Sequence, residues 1–248
     1  MPVSLPRTPS FRLDGRKALV PGGSRGIGLG AAVALAEAGA EVVLAARSAD
    51  QVAEAAEAMR AAGHSATGTA LDITDLDAQA RVFADHGPFD IVVNSAGLAR
   101  HSPAMETTPE DYDAVQAINL KAAYFLSVAA ARQMPERGGV ILHISSQMGH
   151  VGGIDRAVYC ATKHGLEGMT KAMAIEFGPR NIRINTICPT FIRTPLTAAT
   201  FADPEKRAWI EGKIKLPRIA EIEDVMGAVV FLASDAAAMI TGTALLVD

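Results

Sequence analysis

The chain alternates short apolar runs with longer stretches in which apolar residues recur at helical spacing. The apolar runs are bounded by glycine, proline or polar residues and are too short for helices, so they predict buried β-strands. The predicted strands cover residues 17–21, 41–45, 65–71, 89–94, 139–144, 182–187 and 244–247. Helices are predicted between them at 29–38, 50–62, 76–85, from Thr108-Pro109 onward, 159–177 and 221–233.

This alternation predicts the class of fold. Strands that follow helices throughout pair in parallel through right-handed crossovers, which gives a doubly wound sheet with helices on both faces. We therefore predict an α/β Rossmann fold with a seven-stranded parallel sheet. No shift in composition divides residues 1–248, so one domain is expected. Residues 190–216 break the rhythm and are predicted to form a substrate lid.

Composition and charge narrow the class of protein. Lys and Arg number 23 against 27 Asp and Glu, which leaves a net charge of −4 without a basic block for nucleic acid. The leader carries three prolines, and no run of eighteen apolar residues follows, so neither a signal peptide nor a membrane span is indicated. Cys160 and Cys188 lack metal-ligand spacing, and reduced thiols in the cytoplasm are expected.

A glycine cluster, Pro21-Gly-Gly-Ser-Arg-Gly-Ile-Gly28, follows the first predicted strand and opens the first helix. The first glycine allows a sharp exit from the strand. The later two let a backbone and a bound pyrophosphate come close, at the N-terminus of a helix whose free N–H groups favour anions. Such a cluster also suits a tight turn without a ligand. Its place at the first strand-to-helix turn of a doubly wound sheet favours a dinucleotide.

The end of the second strand indicates which dinucleotide is bound. A ribose 2′-hydroxyl calls for an acidic acceptor there, whereas a 2′-phosphate calls for guanidinium groups. The chain has Ala45-Ala46-Arg47-Ser48 at this end, with Arg25 in the glycine turn. We predict NADP(H) as the preferred cofactor, with NAD(H) as the other option. The alternative for either arginine is an ordinary solvated charge.

Three polar side chains are candidates for catalysis. Tyr159 and Lys163 are four residues apart on one predicted helix and so share a face. A nearby ammonium and a cationic nicotinamide favour the phenolate, which lowers the phenol pKa toward the range useful for proton transfer. Ser146 follows the fifth strand, at the sheet edge where ligands bind, and its hydroxyl can donate to a substrate carbonyl.

The order and spacing of these motifs resemble the short-chain dehydrogenase/reductase superfamily from about residue 13 to residue 248. The motifs are the glycine turn, Asn94-Ser-Ala-Gly97, Asn119-Leu120, Ser146, Tyr159-x-x-x-Lys163 and the segment 189–194. The resemblance implies a nicotinamide-dependent oxidoreductase that interconverts a secondary alcohol and a ketone. It implies Tyr159 as general acid or base, Lys163 on the nicotinamide ribose, Ser146 on the carbonyl, and Asn119 on a proton-relay water.

The resemblance also implies further cofactor contacts, with Asp72 at the adenine ring and Asn94 beside the adenine ribose. The predicted cofactor-binding positions are Gly22, Ser24, Arg25, Gly26, Ile27, Gly28, Arg47, Asp72, Ile73, Asn94, Ala96, Gly97, Tyr159, Lys163, Pro189, Ile192 and Thr194. No metal is expected. Assembly as a homotetramer is implied through the helices near 108–134 and 159–177, whose alanine-rich faces permit close packing.

Three positions depart from the family pattern. Pro21 stands where threonine is usual, which removes a hydroxyl and an N–H from the turn. Thr190 replaces a usual glycine beside the nicotinamide. The sequence ends at Asp248, where members commonly continue through Val-Asp-Gly-Gly, and this is compatible with a clipped end. None of the three touches Ser146, Tyr159 or Lys163.

The substrate is a small-molecule ketone or alcohol whose identity stays open. A 3-oxoacyl thioester reductase and a polyol, sugar-acid or other hydroxy-acid dehydrogenase fit equally, and a fold without turnover that serves as a scaffold or regulator is the alternative. Arg193, Arg156, His150 and Trp209 are candidates for the pocket border, where basic groups would suit a carboxylate or phosphate; surface charge is the other interpretation. His101, His143, His150 and His164 are expected to be solvated or hydrogen-bonded imidazoles.

Overall fold

The predicted strands and helices all form, with ends shifted by one to three residues. The computed structural model describes residues 3–195 and 197–248. Its strands are β1 (Lys17–Pro21), β2 (Glu41–Ala46), β3 (Ala66–Ala70), β4 (Ile91–Asn94), β5 (Gly139–Ile144), β6 (Ile182–Pro189) and β7 (Ala244–Val247). Its helices are α1 (Gly26–Glu37), α2 (Ala49–Ala61), α3 (Leu76–His86), α4 (Pro109–Gln116), α5 (Ala123–Gln133), α6 (Ala157–Phe177), α7 (Ala198–Ala202), α8 (Pro204–Glu211) and α9 (Glu223–Ala233).

The strands pair in parallel in the order β3-β2-β1-β4-β5-β6-β7. The predicted doubly wound seven-stranded sheet is therefore confirmed. The order reverses direction between β1 and β4, and the carboxyl ends of these two strands open a crevice there. In open α/β sheets, such a crevice is where ligands bind.

Side chains of successive strand residues point to opposite faces of the sheet, and each face has its own apolar core. In β1, Leu19 packs on one face with Phe83 and Leu126 from α3 and α5. Its neighbour Val20 packs on the other face with Leu35 and Val229 from α1 and α9. Because both faces are covered, the central strands β1 and β4 are apolar along most of their length.

One helical stretch, Pro109–Gln133, runs through α4 and α5 with a π-helical turn at Ala117–Ala122 between them. By length and composition it could cross a membrane. Its buried side, which includes Ala122, Leu126 and Ala130, packs on the sheet. Its apolar character therefore serves the core of the fold.

The segment predicted as a lid contains two short helices, α7 and α8, within its described residues. Ile192 at its start bridges to Ala220 at its end in a parallel pair. The two ends of the excursion are thereby held together, and the helices between them stand out from the sheet. Its action as a lid remains a prediction.

Candidate active site

The glycine turn lies between β1 and α1, at the crevice where the strand order reverses. Gly22 has φ of +79° and Gly26 has φ of +57°, both in the left-handed region that glycine adopts without strain. A side chain on Gly22 would also meet the backbone N of Ala96 at 2.6 Å. Gly22 therefore leaves no room for a side chain, and glycine at 26 adopts its backbone conformation without strain.

Gly28 allows the close backbone approach that the sequence indicates. A Cβ there would lie 2.8 Å from the carbonyl carbon of Gly22, and closer still to its oxygen. Gly28 thus lets α1 pack against its own turn. Gly26 is the open position, because the nearest atoms to its hypothetical Cβ belong to Thr194, 3.9 Å away.

Pro21, the first departure from the family pattern, leaves the turn well held. The N–H groups of Gly22 and Gly23 both donate to the carbonyl of Ala45, at 2.8 and 3.3 Å. The carbonyl of Pro21 accepts from the N–H of Ser95 at 2.9 Å. These hydrogen bonds require neither an N–H nor a hydroxyl at residue 21, so they hold the turn with proline there.

The two arginines predicted for a 2′-phosphate are exposed at this edge of the sheet. Neither Arg25 nor Arg47 forms an ion pair within residues 3–195 and 197–248. Asp72, after β3, accepts from the N–H and hydroxyl of Thr74 at 2.9 and 2.7 Å. These hydrogen bonds, with a smaller effect of the nearby Arg47 charge, lower the pKa of Asp72. The ends of β2 and β3 therefore bring Arg47 and Asp72 close together.

Asn94, at the end of β4, is held by a buried histidine. His143 on β5 is fully enclosed, with Nδ1 3.3 Å from Asn94 Nδ2 and Nε2 2.9 Å from Ser127 Oγ. The Ser127 hydroxyl donates to the carbonyl of Ala123, so its oxygen accepts from Nε2–H and leaves Nδ1 to accept from the amide. Burial, with a smaller effect of the Lys163 charge, lowers the pKa of His143 to about 3.

The neutral imidazole of His143 therefore fixes the amide orientation of Asn94. The Oδ1 atom of that amide accepts from the N–H of Ala96 at 3.2 Å. This network positions the segment Asn94–Gly97 beside the glycine turn. The expectation of a hydrogen-bonded imidazole is confirmed for His143, but sequence reasoning missed its supporting role, because its partners are far away in the chain.

Asn119 sits in the π-helical turn and is buried. Its Oδ1 accepts from the N–H of Leu98 at 2.8 Å, while its Nδ2 donates to the Leu98 carbonyl at 2.9 Å and to the Thr162 hydroxyl at 3.2 Å. The hydrogen bonds of the Asn119 side chain thus hold the segment after β4 against α6. The proton-relay water that the resemblance implies for Asn119 stays a prediction.

Ser146, Tyr159 and Lys163 meet at the carboxyl end of β5. Lys163 is buried and donates from Nζ to the carbonyl of Ile144 at 2.9 Å, two residues before Ser146. Its ammonium also lies 5.5 Å from the centre of the Tyr159 ring. Ser146 caps a short turn by accepting from the N–H of Met148 at 3.1 Å. The predicted shared face of Tyr159 and Lys163 is therefore realised, and Lys163 ties it to the strand that carries Ser146.

The segment after β6 closes the crevice on the other side. Pro189 ends β6, and the N–H of Thr190 donates to the carbonyl of Val247 on β7 at 3.1 Å. Thr194 lies across from Gly26, and its N–H donates to Thr197 Oγ1 at 3.0 Å. The groove is thus bounded by the glycine turn, the Asn94 segment and residues 189–194.

Several predicted cofactor positions present only their backbone. Ile73 and Ile192 are buried. The Ile73 carbonyl accepts a hydrogen bond from Gln79 Nε2 at 2.6 Å, and the Ile192 carbonyl accepts one from Thr197 Oγ1 at 2.6 Å. Ile27 packs on the core of the α1 face. The aliphatic side chains of these residues therefore support the groove from behind, and any contact with a cofactor falls to their N–H groups.

The pocket-border candidates separate in the structure. Arg193 pairs with Glu221 at 3.0 Å, and Trp209 is 57% exposed with Lys213 Nζ 5.8 Å from its ring centre. His150 lies 4.0 Å from Glu167. Arg156 donates to Nε2 of His101 at 2.8 Å, and the His101 ring lies edge-on to the Tyr159 ring with centres 5.7 Å apart. His101 thus links Arg156 to Tyr159.

A buried polar cluster behind the site was not visible in the sequence. Glu167, one turn after Lys163, accepts from the Thr186 hydroxyl at 2.7 Å and from the Cys188 thiol at 3.3 Å, with His150 Nε2 4.0 Å away. The three potential metal-ligand atoms of His150, Glu167 and Cys188 lie within 4.8 Å of one another. Burial, above all, raises the pKa of Cys188 to about 11, so the thiol keeps its proton.

Comparison with known proteins identifies the family. The family model described as enoyl-(acyl carrier protein) reductase matches residues 22–248. The chain is 38% identical over 242 residues to D-erythrulose reductase of Gallus gallus, covering 97% of both proteins. It is 38% identical over 243 residues to gluconate 5-dehydrogenase of Gluconobacter oxydans, covering 96% of this chain and 95% of the relative.

A solved structure gives the same answer. Gluconate 5-dehydrogenase from Burkholderia cenocepacia J2315, in complex with NADP and tartrate, superposes with a TM-score of 0.92 at 34% identity, covering 96% of this chain and 95% of the other. The chain belongs to the short-chain dehydrogenase/reductase superfamily. It is an oxidoreductase that acts on alcohol and ketone groups with a nicotinamide cofactor. Within this superfamily, the arrangement of Ser146, Tyr159 and Lys163 at the end of β5 is where the chemistry is expected.

Proposed function

We propose that the enzyme interconverts a hydroxyl and a keto group on a polyol or sugar acid with NADP(H), and that Tyr159 transfers the proton. The observation that carries this is the meeting of Ser146, Tyr159 and Lys163 at the carboxyl end of β5, next to the glycine turn. The D-erythrulose reductase and gluconate 5-dehydrogenase relatives support the substrate class. A 3-oxoacyl thioester has the weaker support, from the family-model description alone.

The residues along the groove fit a dinucleotide. Gly22 and Gly26 leave the backbone of the turn bare of side chains, so N–H groups at the start of α1 can bind a pyrophosphate. Arg25 and Arg47 are exposed at the end where a ribose 2′-phosphate would lie, and no acidic residue occupies the end of β2. This favours NADP(H) over NAD(H).

The side chains of the site can carry out the proton part of the reaction. The cofactor, when bound, supplies or accepts the hydride. Lys163 brings its positive charge to within 5.5 Å of the Tyr159 ring centre, where it stabilises the negative charge that develops on the Tyr159 oxygen during proton transfer. The Ser146 hydroxyl donates to the substrate oxygen as negative charge develops on it.

The first test is the variant Tyr159→Phe, which removes only the hydroxyl. Because a placed general acid contributes about 10²–10⁴-fold, kcat for an erythrulose or gluconate substrate should fall by that factor while the Kd of NADPH stays within about twofold. Tyr112→Phe, on the exposed surface of α4, is the matched control and should keep wild-type kcat. Full activity of Tyr159→Phe would end the proposal, and a wild type inactive on every ketone and alcohol would favour a scaffold or regulator.

Cofactor preference is tested separately with Arg47→Ala. Loss of a guanidinium–phosphate hydrogen bond should raise KM for NADPH by about 10-fold or more and leave KM for NADH unchanged. Arg81→Ala, an exposed arginine on α3 paired with Asp75, controls for the loss of surface charge. A wild-type preference for NADH that Arg47→Ala leaves unaltered would refute the assignment.

We also propose a homotetramer, supported by apolar side chains exposed on two long helices. Tyr124 and Phe125 on α5 are 45% and 40% exposed, and Ile175 on α6 is 79% exposed. Such groups are typical of helix faces that pack on another subunit. Light scattering should give about four chain masses, and Ile175→Lys should lower that mass. A monomeric wild type would contradict this. Location in the cytoplasm also remains a prediction.

A further inference from the structure

One cationic side chain at the mouth of the site has no anionic partner among the described residues. Arg156, at the start of α6, donates from Nη1 to Nε2 of His101, and its guanidinium carbon lies 5.7 Å from the centre of the Phe191 ring. No carboxylate within residues 3–195 and 197–248 forms an ion pair with it. We propose that Arg156 binds the carboxylate of the substrate, which makes hydroxy acids such as sugar acids the preferred class.

The position of Arg156 is fixed relative to all parts of the site. Its partner His101 lies against the Tyr159 ring, and Phe191 follows the segment that begins with Pro189. On a third side, Gly153, which has no side chain, lies between Arg156 Cδ and Met148. The N–H of Met148 donates to the Ser146 hydroxyl. Arg156 therefore contacts His101, which packs on Tyr159, and lies across Gly153 from Met148, which bonds to Ser146.

The contact with His101 leaves the guanidinium charged and available. Arginine has only N–H donors, so Nε2 of His101 must accept, and the imidazole is the neutral tautomer with its proton on Nδ1. Burial and the Arg156 charge both lower the pKa of His101, while Asp155 opposes them. One donor of Arg156 is used, and the other N–H groups of the planar fork keep the geometry that matches a carboxylate.

The loop that carries Arg156 is held in place before any substrate arrives. Asp155 adopts φ of +58°, and its carbonyl accepts from the N–H of Ser102 at 3.1 Å, which joins the loop after β4 to the loop before α6. The first turn of α6 has no acidic residue, so the positive end of the helix adds to the field at Arg156. A prearranged cation loses little entropy when an anion binds.

Two other arginines in the neighbouring loops already form ion pairs with carboxylates, and this distinguishes them from Arg156. Arg100, next to His101, pairs with Asp111 at 2.5 Å, and Arg193 pairs with Glu221 at 3.0 Å. A neutral polyol would gain little from a free guanidinium, because its hydroxyl groups carry no charge to match it. A carboxylate accepts two parallel N–H groups and gains both hydrogen bonds and charge pairing.

This inference rests on the proposed function and selects among its substrates, so the test uses D-gluconate and D-glucitol. Both have six carbons and a chain of hydroxyl groups, and they differ mainly in a carboxylate against a hydroxymethyl group. Wild-type kcat/KM should be higher for gluconate with NADP⁺. Arg156→Gln should lower kcat/KM for gluconate by about 10- to 100-fold and change that for glucitol by less than about threefold.

Two further variants sharpen the test. Arg156→Lys keeps the charge without the fork and should retain part of the preference for gluconate. Arg81→Gln, on α3 and paired with Asp75, removes the same charge from an exposed helix remote from the predicted lid and should change neither substrate. Calorimetric titration of the enzyme–NADP⁺ complex with tartrate, a hydroxy acid that needs no turnover, should show binding that Arg156→Gln weakens at least about 10-fold. NADPH affinity checks that each variant is folded.

The outcomes separate the two proposals. Turnover of glucitol with no preference for gluconate would overturn the carboxylate site and leave the oxidoreductase function standing. Equal loss on both substrates in Arg156→Gln would overturn it too, since that result indicates a general role in positioning. If no sugar or polyol is turned over, the proposed function fails, and tartrate titration alone decides the site: unchanged affinity in Arg156→Gln would reject it.

Discussion

Replacing Gly28 by alanine tests whether the glycine turn holds its shape by packing. The new Cβ would lie 2.8 Å from the carbonyl carbon of Gly22 and 3.1 Å from Ser95 Cβ. Carbon atoms in good contact are about 3.5–4.0 Å apart, so the turn and the first turn of α1 must separate by at least about 0.7 Å. The turn resists this, because the N–H of Gly22 is bonded to the carbonyl of Ala45 at 2.8 Å.

The expected cost follows from this overlap. Forcing one extra carbon into a packed site costs about 1–3 kcal/mol, and for a chain of this length each kcal/mol lowers Tm by about 2–4 °C. Gly28→Ala should therefore lower Tm by about 2–12 °C. Because the same turn would hold the pyrophosphate, we expect the Kd of NADPH to rise at least about 10-fold. Thermal unfolding followed by circular dichroism and NADPH fluorescence titration measure the two effects.

A matched control distinguishes packing from the chemistry of the substitution. Gly227 lies on the exposed side of α9, and a Cβ there meets nothing within 4 Å. Gly227→Ala should stabilise its helix by about 0.5–1 kcal/mol and leave NADPH affinity unchanged. If Gly28→Ala instead shows wild-type Tm and Kd, the turn is not held by this contact and the account of Gly28 is wrong.

Three further predictions concern buried polar groups. His143 has a folded-state pKa near 3, below its unfolded value, so the unfolded chain binds the extra proton as the pH falls. On account of His143, the free energy of unfolding should fall by up to about 1.4 kcal/mol per pH unit below pH 6.5. Urea titrations of His143→Asn should show a smaller fall of this free energy with pH. Cys188 is protonated and buried, so it should resist alkylation by iodoacetamide at pH 8 in the native enzyme and react after denaturation. Mass spectrometry measures the alkylation, and rapid labelling of the native enzyme would contradict this. Asn119→Ala should leave the N–H and carbonyl of Leu98 unpaired and lower stability by about 1–3 kcal/mol or more in denaturant unfolding, whereas unchanged stability would mean that water replaces the amide.

Much of the fold could be read from the chain because the relevant signals are local. The seven apolar runs, the proline at the start of α4 and the glycine turn each depend on residues within one element, and each element formed with small shifts at its ends. Helix α1 starts at Gly26, three residues before the predicted start, because the turn itself supplies the first helical residues. Tyr159 and Lys163 share a face for the same local reason, the period of the helix.

The tertiary structure decided the contacts between distant residues. His101 and Arg156 are 55 residues apart, and Asn94, Ser127 and His143 come from three different elements. No periodicity in a sequence encodes which loops meet above a sheet, because that depends on strand order and on packing across the two faces. The order of residues predicted the candidate catalytic set. Only the folded chain showed that Arg156 donates to the His101 ring that lies against Tyr159, whereas Arg193 pairs with Glu221.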